Sequence, residues 1–94
     1  MKKEQVLSRM TEDCLVAVVR AKNLEQGEKV VDAIIEGGIN FIGITMTMDE
    51  GHPVEFIAAM AKKYKDNDKV VIGAGTVLDP ETARQVILAG ANYV

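Results

Sequence analysis

Cysteine is almost missing from this 94-residue chain: Cys14 stands alone, so an internal disulfide is excluded. Histidine is as scarce, with His52 the only one, and no group of cysteine, histidine and acidic residues has metal-ligand spacing. No metal site is therefore expected. Positive charge is not in excess either. Eleven basic side chains face fourteen acidic ones, a net charge of −3, which gives no support to the basic face that nucleic-acid binding requires. No apolar run approaches the roughly 18–20 residues that span a bilayer. The start, Met1-Lys2-Lys3-Glu4-Gln5, turns polar at once and lacks the apolar core of a signal peptide. Linkers, low-complexity tracts and charge blocks are absent. What is present is one small domain over residues 1–94, 48% hydrophobic and 27% charged, with the cytoplasm as the expected compartment.

Three short runs rich in β-branched residues read as strands: Leu15–Val19, Phe41–Thr45 and Val70–Gly73. A fourth begins at Tyr93-Val94. None alternates cleanly between apolar and polar, which suits a parallel sheet covered on both faces. Helical patterns fill the gaps. Residues Leu24 to Glu36 carry Asn23 as N-cap, Gln26 at the reciprocal capping position and Gly37-Gly38 at the end. Pro53 to about Tyr64 places Phe56, Ile57, Met60 and Ala61 on one face expected to be buried, and ends in Lys62, Lys63 and Lys65. A third helix opens at Asp79-Pro80 and closes at Gly90, and an extra one, Lys3 to about Met10, precedes the first strand. Strand starts at 15, 41, 70 and 93 are 23 to 29 residues apart, the length of a βα unit. A faint repeat supports this: Ile35-Glu36-Gly37-Gly38-Ile39-Asn40-Phe41-Ile42 parallels Ile87-Leu88-Ala89-Gly90-Ala91-Asn92-Tyr93-Val94.

These patterns predict an α/β chain forming part of a (β/α)8 TIM barrel, about three βα units plus the start of strand four, preceded by a helix. The 94 residues then read as the N-terminal half of a single barrel domain, a fragment whose cut fourth strand leaves an unpaired sheet edge.

Barrel chemistry sits at the C-terminal ends of the strands. The polar residues there are Arg20, then Thr45 and Thr47, then Gly73-Ala74-Gly75-Thr76. An arginine fork suits a carboxylate or phosphate, although an ion pair with a loop acid is the bland alternative. The glycine run is no dinucleotide fingerprint, since its third glycine would fall on Leu78. It does allow close backbone approach to an anion, and Thr76 adds a hydroxyl. His52 in the loop Asp49-Glu50-Gly51-His52-Pro53 reads as a cap or a solvated residue, and Asp49 and Glu50 as solvated acids. Lys22 reads as exposed. Cys14 reads as a buried structural thiol.

Leu15-Val16-Ala17-Val18-Val19-Arg20-Ala21, Glu36-Gly37-Gly38-Ile39, Val71-Ile72-Gly73-Ala74-Gly75-Thr76-Val77-Leu78 and Ala89-Gly90-Ala91 together resemble the 2-keto-3-deoxy-6-phosphogluconate and 4-hydroxy-2-oxoglutarate aldolases. The likeness runs from Leu15 onward, and Gly-Ala-Gly-Thr-Val is its most specific part. It implies a Schiff-base aldolase that releases pyruvate and an aldehyde, with a small keto acid as its ligand and no metal or other cofactor. A homotrimer of complete barrels is implied as well, with neither nucleic acid nor membrane as a partner. By the same likeness, Arg20 lies at the active-site mouth and Thr76 contacts the pyruvate carboxylate. Gly73 and Gly75 shape that pocket, and Thr45 ends strand two.

Two departures stand out. Gly43 occupies the position of the family's acid/base glutamate, and Thr47 stands where many members have arginine. The Schiff-base lysine belongs to a later strand, beyond residue 94, so the chain by itself is expected to be inactive. The alternative is a non-catalytic half-barrel module for binding or assembly, derived from the same family. Another phosphate-binding barrel, an epimerase or a thiamin-phosphate synthase relative, is a third reading.

Overall fold

The computed structural model describes residues 2–47 and 52–94. Helix α1 (Lys3–Asp13) leads to β1 (Ala17–Val19). Then follow α2 (Leu24–Glu36), β2 (Phe41–Thr45), α3 (Pro53–Lys63), β3 (Val71–Gly75) and α4 (Pro80–Ala89). The strands form one parallel sheet in the order β1-β2-β3. No described helix is long and apolar enough to cross a membrane.

Side chains alternate across the sheet, so register decides which residues share a face. Phe41 pairs with Val71, Gly43 with Gly73 and Thr45 with Gly75, while Val18 pairs with Gly43. The intervening residues Val19, Ile42, Ile44, Ile72 and Ala74 are buried against Val31 of α2, Phe56, Ile57 and Met60 of α3, and Val86 of α4. Each such Phe, Ile or Val contributes roughly 1.5–3 kcal/mol by leaving water. Most of the holding energy therefore lies on this helix face. The opposite face is thinner: Val6 of α1 covers Phe41 and Val71 at the strand starts, joined by Met10 and Tyr93.

Strand order that follows the sequence, with all three later helices on one face, is a singly wound arrangement; doubly wound sheets reverse order and carry helices on both faces. The helix boundaries follow their caps. Asn23 accepts a hydrogen bond from the Gln26 backbone N–H (2.8 Å), and Asp79 does the same for Thr82 (2.9 Å). The Gln26 side chain reaches back not to Asn23 but one residue further, accepting from the Lys22 N–H at 3.0 Å. Gly90 closes α4 at a φ of 113°, a conformation that costs other residues roughly 1–2 kcal/mol.

Several expectations need correction. Strand β1 starts at Ala17 rather than Leu15, because Leu15 and Val16 meet no covering element and stay exposed. Strand β3 runs on through Ala74 and Gly75, whose backbones stay in ladder register with Ile44 and Thr45, so only Thr76 of the glycine run lies beyond the strand. Helix α1 continues to Asp13. Cys14 caps it in a left-handed conformation (φ 61°) that turns the thiol outward; Cys14 is exposed, not buried, with Sγ donating to the Thr11 carbonyl.

Residues Tyr93-Val94 do not form a regular strand. Yet the Asn92 N–H donates to the Ile72 carbonyl (2.7 Å) and the Tyr93 carbonyl accepts from Ala74 (3.0 Å), so the segment lies beside β3 in a parallel sense.

Candidate active site at the strand ends

At the C-terminal ends of the strands, one layer of residues carries polar side chains on the face away from the helices. Thr45 closes β2 fully buried. Its Oγ1 lies 2.8 Å from Thr47 Oγ1 and 3.3 Å from Thr76 Oγ1. Arg20, the residue after β1, donates from Nε to Thr47 Oγ1 at 3.2 Å. Guanidinium and three hydroxyls thus form one continuous hydrogen-bonded chain across the strand ends. The Met46 N–H donates to the Gly75 carbonyl (2.9 Å) and fixes the turn that presents Thr47.

Both terminal nitrogens of Arg20 lack partners among the described residues, and Arg20, Thr47 and Thr76 are exposed. Such a set of fixed donors suits a small carboxylate: an arginine fork gives two parallel bonds, and hydroxyls rotate to complete the shell.

Thr76 sits at φ 56°, in the left-handed region. For a β-branched residue that conformation is rare and strained, at roughly 1–3 kcal/mol. Glycine would be relaxed there, but it would have no hydroxyl to place against Thr45. The strain therefore accompanies the one side chain that joins β3 to the polar chain.

One layer deeper, side chains give way to glycine. Gly43 and Gly73 are register partners. The space over them holds the Tyr93 ring: a Cβ on Gly73 would lie 2.1–2.4 Å from its atoms, and one on Gly43 would lie 3.0 Å from its hydroxyl. The ring also tilts against Phe41 below, centroids 6.0 Å apart. The Tyr93 hydroxyl is buried and has no hydrogen-bond partner among the described residues. Burial pushes this phenol up to about 12, and like any tyrosine it is neutral at physiological pH.

The structure thus brings Arg20, Thr45, Thr47 and Thr76 together. Gly75 stands beside Thr45, and Gly73 lies a layer below, under the tyrosine. His52 is the N-cap position of α3 but makes no side-chain capping bond. Asp49, Glu50 and Gly51 lie outside the described residues. Lys22 is exposed, as expected. Among the described residues, no group of three potential metal ligands occurs.

Tyr93 is the residue that sequence reasoning passed over. The available signal was glycine at equivalent positions of two neighbouring strands, a hole that some large side chain must fill.

A cavity of about 880 Å³ lies at the other end of the sheet, bounded by Gln5, Arg9, Tyr64, Asp68 and Asn92. Arg9 forms its wall by donating to the carbonyls of Asp68 (2.8 Å) and Lys69 (2.6 Å). It has no contact with the threonine chain.

Comparison with known proteins places the chain in a family. The model of the KDPG and KHG aldolases matches residues 6–94. The KHG/KDPG aldolase of Escherichia coli is 31% identical over 84 residues, covering 89% of this chain and 37% of that enzyme. A 2-dehydro-3-deoxy-phosphogluconate aldolase of Dickeya dadantii is 30% identical over 96% of this chain and 38% of its own length. The Treponema pallidum protein of the same name is 35% identical over 85% of this chain and 36% of its own length. The chain spans little more than a third of these relatives, and by this match it belongs to the KDPG and KHG aldolase family.

Proposed function

We propose that this chain is the carboxylate-binding part of a Schiff-base aldolase that cleaves 2-keto-3-deoxy-6-phosphogluconate or 4-hydroxy-2-oxoglutarate to pyruvate and an aldehyde. The observation that carries this reading is the donor chain Arg20–Thr47–Thr45–Thr76, kept at the strand ends at the expense of a strained threonine. In this reading the singly wound sheet is the first three βα units of a (β/α)8 barrel, and the working protein is a cytoplasmic homotrimer. The donors hold the carboxylate of the keto acid. An iminium at the neighbouring carbon then accepts the electron pair of the breaking carbon–carbon bond as the 4-hydroxyl gives up its proton to become the aldehyde. Protonation of the resulting enamine returns the iminium, which water hydrolyses to pyruvate and the free lysine.

The lysine for that iminium is not on the open face of β1, β2 or β3, whose side chains are Val18, Phe41, Thr45 and Val71 with Gly43, Gly73 and Gly75. It comes from elsewhere in the protein, and the 94 residues alone are inactive. Borohydride trapping with pyruvate tests both statements. The full-length protein gains a covalent adduct that maps outside residues 1–94, and the 94-residue chain gains none. An adduct on the short chain would overturn the assignment of the lysine.

A second reading, a non-catalytic binding module, is favoured by one observation: Gly43 offers no proton-transfer group, and Tyr93 fills its place. Full-length protein that binds pyruvate without trapping it, and cleaves neither substrate, would establish this reading instead.

A further inference from the structure

We infer that the Tyr93 hydroxyl is a hydrogen-bond donor of the ligand site, reserved for the 2-oxygen of a small 2-oxo or 2-hydroxy acid whose carboxylate is held by the threonine–arginine chain. The inference rests on the carboxylate-binding reading above and adds the group that separates such acids from plain carboxylates.

Three observations lead to it. The hydroxyl is fully buried yet unpartnered among the described residues, and an orphaned buried donor costs about 1–3 kcal/mol unless something takes its proton. It lies directly over Gly43, two residues below Thr45 on the same strand face. That interval is about 6.6 Å along a strand, which a carboxylate and its adjacent 2-oxygen bridge with one hydrogen bond of about 2.8 Å at each end. Finally, the glycines at 43 and 73 are what admit the ring, since a Cβ at either would meet it at 3.0 Å or less. The phenol is neutral at physiological pH, so it carries an O–H to donate.

Tyr93→Phe in the full-length protein removes the donor and keeps the ring. Lactate and propanoate differ only at the 2-oxygen and cannot form an imine, so their dissociation constants, measured by calorimetry, isolate the contact. Wild type is expected to bind lactate about tenfold more tightly than propanoate, the scale of one buried hydrogen bond. Tyr93→Phe should bring the two to within about twofold while leaving propanoate affinity unchanged. Its melting temperature should hold or rise, because an orphan hydroxyl has gone. If Tyr93→Phe keeps the lactate preference, or wild type shows none, the tyrosine has no such role and the carboxylate site stands. If wild type binds neither acid, nor pyruvate, the carboxylate reading falls and this inference with it.

Discussion

At the scale of single residues, the site is a compromise between backbone comfort and side-chain placement. Thr76 shows it most directly. Thr76→Gly relaxes the left-handed backbone (φ 56°) and removes a hydroxyl that touches Thr45 at 3.3 Å. The expected result is a melting temperature equal to or above wild type with pyruvate affinity reduced roughly tenfold to a hundredfold, the worth of one hydrogen bond to a charged group. Gly73 and Tyr93 give the converse case. Gly73→Ala drives a methyl into ring atoms 2.1–2.4 Å away and should cost about 1–3 kcal/mol in urea unfolding. Gly43→Ala meets the hydroxyl at 3.0 Å, with its other neighbours at ordinary contact distance, and should cost less. Adding Tyr93→Ala to Gly73→Ala should recover part of the loss; no recovery would mean that the ring is not what the glycine accommodates. The polar residues Arg20, Thr45, Thr47 and Thr76 were legible in the sequence because strand ends are where a parallel sheet presents its chemistry. Tyr93 was not, since nothing local says that a residue near position 93 reaches back across two strands.

At the scale of elements, start and stop signals carried most of the reading. Asn23, Asp79-Pro80 and Gly90 act where their chemistry said they would, because capping is decided within three or four residues. Burial was less readable. Val30, Val31, Ile34 and Ile35 share helical spacing, yet the buried positions of α2 are Gly27 and Val31. The reason lies in the partner helix: the Phe56 ring occupies the place a Cβ on Gly27 would take, at 2.5–2.9 Å. Gly27→Ala, which raises helix propensity by about 1 kcal/mol, should nevertheless destabilise the protein, and Phe56→Leu should relieve the clash in a double-mutant cycle.

The same two helices are joined by Lys63, which bridges Glu28 (2.8 Å) and Asp32 (2.6 Å), while the Tyr64 hydroxyl donates to Asp32. Lys63 thus reaches from the last turn of α3 across to α2. Its hydrogen bond, with that of Tyr64, lowers the Asp32 carboxyl below its ordinary value. A lowered acid contributes stability above its unfolded value of about 3.9 and loses it as pH falls through the folded value. Tyr64, half-buried and bonded to the same carboxylate, is raised to about 12; its share is complete below about 10 and is lost as pH rises through the folded value. Asp32→Asn should therefore lower the melting temperature at pH 7, and the gap from wild type should narrow as pH falls below the ordinary carboxylate range. A gap that persists in acid would show that packing, not ionisation, is what the substitution disturbs.

At the scale of the whole molecule, the two faces of the sheet are unequal in a way that governs behaviour in solution. One face is sealed by three helices; on the other, Val18 is 70% exposed and Val16 41% exposed, beside the outer edge of β1, which no described strand pairs. An apolar face next to an open edge is a template for association. The 94-residue chain, prepared alone, should bind a hydrophobic dye and run above its 10.2 kDa monomer mass in sedimentation. Val18→Lys places a charge on the open face of the edge strand while touching nothing in the helix-side core. It should lower dye binding and shift the distribution toward monomer, with the circular dichroism of the helices unchanged. In the full-length protein the same substitution should instead be destabilising, because the complete barrel proposed above would bury position 18. A variant equally tolerated in both would mean that this face stays open in the complete protein, and the barrel would have to be abandoned in favour of an open sheet.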